Sequence, residues 1–306
     1  MWDLFPRKVV VGVETAGCLP ALRAAAQEAE RRRCGVHLLH VIEPVHASHS
    51  RIEELEQVAA ELRHAGLAVV EDAAHALEPL VPDDLVVSTE LCHGAVVPSL
   101  VEASAHACLL VLHQRGKQHR LLSTIQAVVA QEQCPVLVVP PDPPQEDPAH
   151  APCVVAGVDD ARRSGRLVEA ALAEAARRQA RLRLVHGLTA RDERTEDMDA
   201  AAREAWLRLR HRLLDKELGD VCRGRPDVDV DLEIVPQAPA TALVARARDA
   251  DVIVVGRGHG EQPFARRPGP VTTEVLRRAT CPVLVVDGER RDLGSRDREP
   301  AQVAVP

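Results

Sequence analysis

The chain repeats itself once, and no other feature constrains its fold as tightly. Val9-Val10-Val11-Gly12-Val13-Glu14 returns as Val154-Val155-Ala156-Gly157-Val158-Asp159. The run from Val36 to Val41 (VHLLHV) returns from Leu182 to Gly187 (LRLVHG), and Ala107 to Leu112 returns from Ala250 to Val255. The closest match pairs Cys134-Pro135-Val136-Leu137-Val138-Val139 with Cys281-Pro282-Val283-Leu284-Val285-Val286. The matches keep their order at an offset of 143 to 147 residues. Solenoid repeats have periods of about 20–50 residues, so this is a duplicated domain. A length of 306 residues suits two such domains. They are placed at 1–140 and 152–287, with a Pro-rich linker at 141–151 that cannot be helical and a charged tail at 288–306 read as disordered.

Within each copy, aliphatic runs alternate with amphipathic stretches. In the second copy the run Val154 to Val158 is followed by Leu167, Val168, Ala171, Leu172 and Ala175 at helical spacing. Leu182 to Val185 is the next strand. Ala202, Trp206, Leu209 and Leu213 mark a second helix, and Val228 to Val235 a third strand. A short helix at Ala240 to Arg248, a strand at Val252 to Val255, a helix at Val271 to Ala279 and a strand at Val283 to Val286 close the unit. The first copy follows the same order, with Ile52, Leu55, Val58 and Leu62 on its second helix. Near-continuous Val/Leu runs separated by helices indicate parallel strands covered on both faces. The predicted fold class is α/β: two doubly wound, Rossmann-like domains in tandem, each with a five-stranded parallel sheet.

Composition removes several function classes. Aromatic residues are 1% of the chain, with two Trp, two Phe and no Tyr, so stacking platforms for RNA or single strands are excluded. A formal charge of -8 removes the electrostatic route to nucleic acid. The Arg31–Arg33 and Arg177-Arg178 clusters sit among Glu residues and read as solvated helix faces. No apolar run approaches the roughly 18 residues of a membrane span and no signal peptide opens the chain, so a soluble, cytoplasmic protein without membrane partners is expected. The eight cysteines form no CxxC pair and read as reduced, small apolar residues. His46 and His49 have an i,i+3 spacing but lack further ligands, so no metal of the protein's own is expected.

In doubly wound sheets a ligand binds beyond the carboxyl ends of the strands, where the winding direction switches. In the second copy one such strand ends in Gly157-Val158-Asp159. Another ends in Gly256-Arg257-Gly258-His259-Gly260 and leads to Gly269-Pro270-Val271-Thr272-Thr273 at a helix start. Glycines let backbone approach a phosphate, a helix N-terminus offers unpaired N–H groups, and the acidic side chain can accept from a base or ribose. The same glycines also serve simple turns, and the loop alone leaves both readings open.

Together these motifs resemble a tandem universal stress protein of the UspA-like kind, over residues 8 to 140 and 152 to 287. The residues that carry the resemblance are the VVAGVD opening, the LRLVH second strand, ADVIVVGRG and ATCPVLVV. Nucleotide-binding members of that family have a loop of Gly, two residues, Gly, nine residues, Gly, then Ser or Thr. An Asp ending the first strand contacts adenine, and the loop holds ribose and phosphates. The resemblance therefore implies an adenine-nucleotide (ATP) binding or sensing protein of the stress response. The implied site is Val158, Asp159, Gly256, Gly258, His259, Gly260, Gly269, Val271 and Thr272. Two departures stand out: His259 replaces the second glycine, and Pro270 replaces Ser/Thr, removing one backbone donor and one hydroxyl. Proline remains acceptable as the first helical residue. The hydroxyls of Thr272 and Thr273 stay as candidate donors.

The first copy departs further. Its acidic position is Glu14, its loop opens with His113, Gly116 survives, and Leu122 stands before Ser123 in a shorter loop. Only the second copy is expected to bind nucleotide. The first is expected to be structural, pairing with the second inside one chain, with homodimerisation as the other option. No enzymatic activity is expected, because no Walker loop, nucleophile elbow or adenylation signature is present and no nucleophile–base pair is recognisable. The alternative is an interaction module of the same fold that binds no nucleotide.

Overall fold

The computed structural model describes residues 8–14, 18–44, 52–114, 119–144, 151–159, 161–188, 199–258 and 267–287, except for the side chains of 52–55, 119–122 and 161–163. Residues 145–150 of the linker and the tail at 288–306 lie outside the described residues, as do His46 and His49.

The first copy contains β1 (Lys8–Gly12), α1 (Leu19–Arg32), β2 (Val36–Ile42), α2 (Ile52–Leu77), β3 (Val87–His93), α3 (Val96–Ser104), β4 (Ala107–His113), α4 (His119–Val129) and β5 (Val136–Val139). The second contains β6 (Cys153–Gly157), α5 (Ala161–Arg178), β7 (Arg181–Gly187), α6 (Ala200–Arg223), β8 (Val230–Val235), α7 (Pro239–Ala245), β9 (Val252–Gly256), α8 (Pro270–Arg278) and β10 (Val283–Val286). Strand order is β3-β2-β1-β4-β5-β10-β9-β6-β7-β8. Each half is parallel and doubly wound, as the alternating pattern predicts. The halves meet at β5 and β10, which pair antiparallel with Leu137 opposite Leu284, Val136 opposite Val285 and Val138 opposite Val283. One ten-stranded sheet results.

Strand residues alternate between two helix layers. Val9, Val11, Val154 and Ala156 face α1, α2, α5 and α6, while Val10, Val155, Ile253 and Val285 face α3, α4, α7 and α8. Each core runs continuously through both copies. With aromatics nearly absent, α1 approaches the sheet through Ala21, Ala25 and Ala29, and α5 through Ala171 and Ala175, all fully buried. Small side chains permit this close approach and keep packing dense without large rings.

The apolar residues that mark α2 and α6 in the sequence lie on those helices, but the sheet covers other turns. Leu209 and Leu213 of α6 are 48% and 44% exposed, and Val58 and Leu62 of α2 are 39% and 37% exposed. The buried stripes fall later, at Leu214 and Leu218 and at Val70, Ala73 and Leu77. The cause is length: α2 has 26 residues, about 39 Å, whereas β2 and β3 have seven each, about 23 Å. The sheet can cover only the C-terminal part of such a helix.

The arginine clusters correct a sequence expectation. Glu28 and Glu174, equivalent residues of α1 and α5, are each about 1% exposed and face one another across the junction of the copies. Arg32 donates to Glu174 at 3.0 Å and also pairs with Glu28. In the mirrored arrangement Arg178 donates to Glu28 at 2.5 Å and to Glu174 at 2.7 Å. Arg31 and Arg177 complete the set from the rim. Arg33 is exposed, but the other four arginines form a buried charge network between copies rather than a solvated face. Burial alone would raise the Glu174 pKa, but Arg178, Arg32 and Arg177 outweigh it and hold the carboxyl down at about 2.

Removing one member of a buried network leaves its partners uncompensated. Glu174→Ala is expected to cost about 3–5 kcal/mol, read from urea unfolding at pH 7. Because the folded pKa of Glu174 is depressed, its contribution is complete above the ordinary carboxylate range and lost as pH falls toward about 2. Wild type should therefore lose more stability than Glu174→Gln on acidification through that window.

Candidate functional site

The second half winds outward from β6 through β7 to β8, then returns to β9 and β10 on the other side. The switch point lies between β6 and β9, and the carboxyl ends of those strands carry Asp159 and Gly256. The sequence motifs are thus brought together at the place where such sheets take ligands.

Asp159 is exposed at the end of β6. Its backbone N–H donates to Ser164 Oγ at 3.1 Å, and Ser164 is buried in the first turn of α5. The preceding turn is tied down by His186, which is 1% exposed. Its Nδ1 lies 3.0 Å from the Val158 carbonyl, so Nδ1 carries the proton and donates. Nε2 then accepts from Arg210 Nε at 3.5 Å, while Arg210 Nη2 donates to the Asp159 carbonyl at 3.4 Å. The carboxylate of Asp159 has no hydrogen bond or ion pair among the described residues and is exposed beyond the strand end.

The loop after β9 is closed at its neck. Gly258 has φ +77°, the left-handed region, and a Cβ there would lie 2.8 Å from Gly269 Cα. A Cβ on Gly269 would lie 3.0 Å from Gly258 Cα. Two backbones therefore touch where only glycine fits. The Gly269 N–H donates to the Arg257 carbonyl at 2.8 Å, and the Arg257 N–H to Val286 at 2.9 Å. Gly269 caps α8 without a side-chain hydrogen bond, and Pro270 is its first residue. The N–H groups of Val271 and Thr272, in the first turn, face the helix end with no intrahelical acceptor. His259 and Gly260 lie outside the described residues.

Part of the expected donor set is already committed. Thr272, 3% exposed, donates its hydroxyl to the Gly256 carbonyl at 2.6 Å, and Thr273 donates to the Pro268 carbonyl at 3.4 Å. A hydroxyl has one proton, so neither threonine offers a side-chain donor to a phosphate in this arrangement. Thr272 locks the neck instead.

Arg257 adds a link that sequence reasoning missed. Its Nε and Nη2 donate to Glu132 Oε1 at 3.0 and 2.8 Å, and Nη2 also donates to the Glu132 carbonyl at 3.0 Å. Glu132 belongs to the first copy, 2% exposed between α4 and β5. The neck of the second copy's loop is thus held by a carboxylate of the first. No motif signals a partner 125 positions away. His186 and Arg210 were missed for the same reason, while Ser164, five positions from Asp159, belongs to no motif that the sequence singled out.

The described residues of the first copy differ at this end of the sheet. Its β4 ends in His113 and Gln114, both buried, where the second copy has Gly256 and Arg257. The helix α4 begins at His119, so Leu122 falls inside the helix rather than ahead of it. Gly116 lies outside the described residues. His40 Nδ1 does hold the Val13 carbonyl at 2.7 Å, so the strand-end tether survives where the loop does not.

A nucleophile–base contact that the sequence did not reveal forms elsewhere. His37 and Ser88 are cross-strand partners on β2 and β3. His37 Nδ1 lies 2.9 Å from Ser88 Oγ, and Nε2 lies 3.1 Å from Glu90 Oε2. Burial lowers the His37 pKa against the opposing pull of Glu90. Lys8 Nζ also donates to Ser88 Oγ at 2.8 Å, which draws electron density from that oxygen and weakens it as a nucleophile. Among the described residues no group of three or more His, Cys, Asp or Glu is arranged to hold a metal ion, and no helix is long and apolar enough to cross a membrane.

Comparison with known proteins agrees with this architecture. The family model described as the universal stress protein family matches twice, over residues 6–140 and 153–287. A universal stress protein of Mycobacterium tuberculosis is 32% identical over 298 residues, covering 92% of this chain and 98% of that protein. Another from the same organism is 29% identical over 307 residues, covering 90% and 94%. The crystal structure of a universal stress protein from Archaeoglobus fulgidus superposes with a TM-score of 0.64 at 17% identity, covering 93% of this chain and 98% of that one.

Burial raises the Glu132 carboxyl to about 7, against the pull of Arg257. A raised folded pKa means the folded state holds the proton more tightly, so stability is greatest below the ordinary carboxylate range and falls as pH rises toward about 7. Glu132→Gln keeps an acceptor for Arg257 without the titration. Urea unfolding from pH 5 to 8 should show wild type losing stability relative to Glu132→Gln across that range.

Proposed function

The chain belongs to the universal stress protein family, and from that premise we propose that it is a cytoplasmic stress-response protein that binds an adenine nucleotide, ATP, in its second copy only. The observation that carries this reading is the backbone contact between Gly258 and Gly269 at the β6/β9 switch point. It sets the N-terminal turn of α8 beside the carboxyl end of β9, with Asp159 exposed at the end of β6. The phosphates accept from the N–H groups of Val271 and Thr272, and the base or ribose donates to the Asp159 carboxylate. Arg210 and Ser164 hold Asp159 in place. The first copy serves as the other half of the sheet and supplies Glu132 to the loop neck. The protein senses nucleotide rather than turning it over.

A second reading, an interaction module that binds no nucleotide, is favoured by one observation. Pro270 removes an N–H, and the threonine hydroxyls beyond it are spent on Gly256 and Pro268. Fewer donors then remain for phosphate than a Ser or Thr at position 270 would give.

Calorimetric titration with ATP separates the two. Wild type should bind, and Asp159→Ala should weaken binding by about 10-fold or more, the loss of one charge-assisted hydrogen bond. Pro270→Ser should tighten it by about 5- to 10-fold by restoring a donor. An absence of heat at millimolar ATP for both wild type and Pro270→Ser supports the interaction module. Steady ADP release by wild type would instead restore an enzymatic reading.

A further inference from the structure

The first copy carries a pair of thiols that the nucleotide reading does not use. Cys34 Sγ and Cys108 Sγ lie 3.6 Å apart, 74 positions apart in sequence. Both are half-buried, so small solutes reach them. A disulfide has its sulfurs about 2.05 Å apart, so about 1.5 Å of closure joins them.

The juxtaposition is built by the backbone. Cys34 follows the left-handed C-cap of α1 at Arg33, φ 52°, and its N–H donates to the Ala29 carbonyl at 3.0 Å. The next residue, Gly35, accepts from Val9 at 3.0 Å, pinning the turn against β1. On the other side, the register of β1 on β4 slips: Lys8 pairs with Ala107, but Val9 pairs with Leu109. Cys108 is the extra residue of that bulge. It shares the α1 face with its neighbour Leu109, where regular alternation would put the two on opposite faces. Bulges re-aim side chains in this way. Strict alternation continued back from Val111 and Leu109 would turn Cys108 away from Cys34.

The second copy has neither thiol. Ala180 and Asp251 occupy the two positions, and Asp251 accepts from the Cys153 N–H at 2.6 Å instead. The copy that lost the phosphate loop is thus the one that holds the dithiol.

We propose that Cys34 and Cys108 form a peroxide-responsive dithiol, in which a hydroperoxide oxidises Cys34 and Cys108 resolves it to an intramolecular disulfide. The Cys34 thiolate attacks one peroxide oxygen. An S–O bond forms, the O–O bond breaks, and the departing hydroxide takes a proton and leaves as water. The sulfur, now a sulfenic acid, has lost two electrons to the peroxide. Cys108 sulfur then attacks Cys34 sulfur, the S–S bond forms, the S–O bond breaks, and the Cys108 proton leaves with hydroxide as a second water. The balance is one hydrogen peroxide and two thiols to one disulfide and two waters. The order of attack follows from the local chemistry. The hydrogen bond from Cys108 pulls the Cys34 thiol down to about 7, with the Val9 backbone and Arg32 assisting against burial. The same bond, with burial, pushes Cys108 up. Besides these groups, Cys134 is the remaining titratable side chain acting on Cys108. A thiol whose pKa is near ambient pH is close to the optimum for attack.

The full-length protein is treated with hydrogen peroxide, alkylated, digested without reduction and mapped by mass spectrometry. The expected result is a cross-linked peptide joining Cys34 to Cys108, removed by dithiothreitol. Cys108→Ser should leave Cys34 as a sulfenic acid trapped by dimedone, and Cys134→Ser should leave the cross-link intact. In untreated wild type at pH 7, Cys34 should alkylate at least about 10-fold faster than Cys108. A wild-type map in which both cysteines remain alkylatable after peroxide, or in which Cys34 joins Cys134, overturns the proposal.

Discussion

The antiparallel pairing of β5 with β10 is the constraint on which everything else rests. Each half of the molecule is a parallel sheet whose last strand is four residues long and would otherwise be an open edge. Pairing Leu137 with Leu284 closes both edges at once and places equivalent residues opposite one another. From that symmetry follows the charge network, because Glu28 and Glu174 can each meet the arginines of both helices only when α1 and α5 face across the same axis. The continuous cores follow as well. One chain thereby acquires the kind of self-complementary interface that separate subunits form by isologous association.

That arrangement allows the two copies to diverge. The strand-end tether, His40 on Val13 and His186 on Val158, is kept in both because it belongs to the sheet. The loop beyond the fourth strand differs: a glycine neck in one copy, and buried His113 and Gln114 followed by a helix from His119 in the other. The degenerate copy still reaches the surviving loop through Glu132 and Arg257. The first copy also carries the bulge that turns Cys108 toward Cys34 at the opposite end of the strands.

Much of the fold was legible in the sequence. Strands buried on both faces must be nearly continuous Val and Leu, and a duplication makes each such run confirm its counterpart. The tandem α/β architecture and the elements bearing Asp159, Gly256 and Gly269 are read directly from those runs. Three things were not. Apolar spacing on α2 and α6 marks a helix but not which turns the sheet covers, since the helices outrun the strands. Arg31–Arg33 and Arg177-Arg178 have the same sequence signature on a wet surface as in a buried network, until the equivalent helix is brought against them. The use of Thr272, Ser164 and Arg210 depends on contacts across 16, 5 and 51 positions, where local pattern has no purchase.

The central claim is that one sheet carries one working nucleotide site, in the second copy. Amide hydrogen exchange of the full chain with and without saturating ATP tests it most directly. The account predicts new protection in peptides spanning 154–160 and 256–273 and none in those spanning 9–14 or 113–123. Equal protection at both strand ends, or protection confined to the first copy, would contradict it.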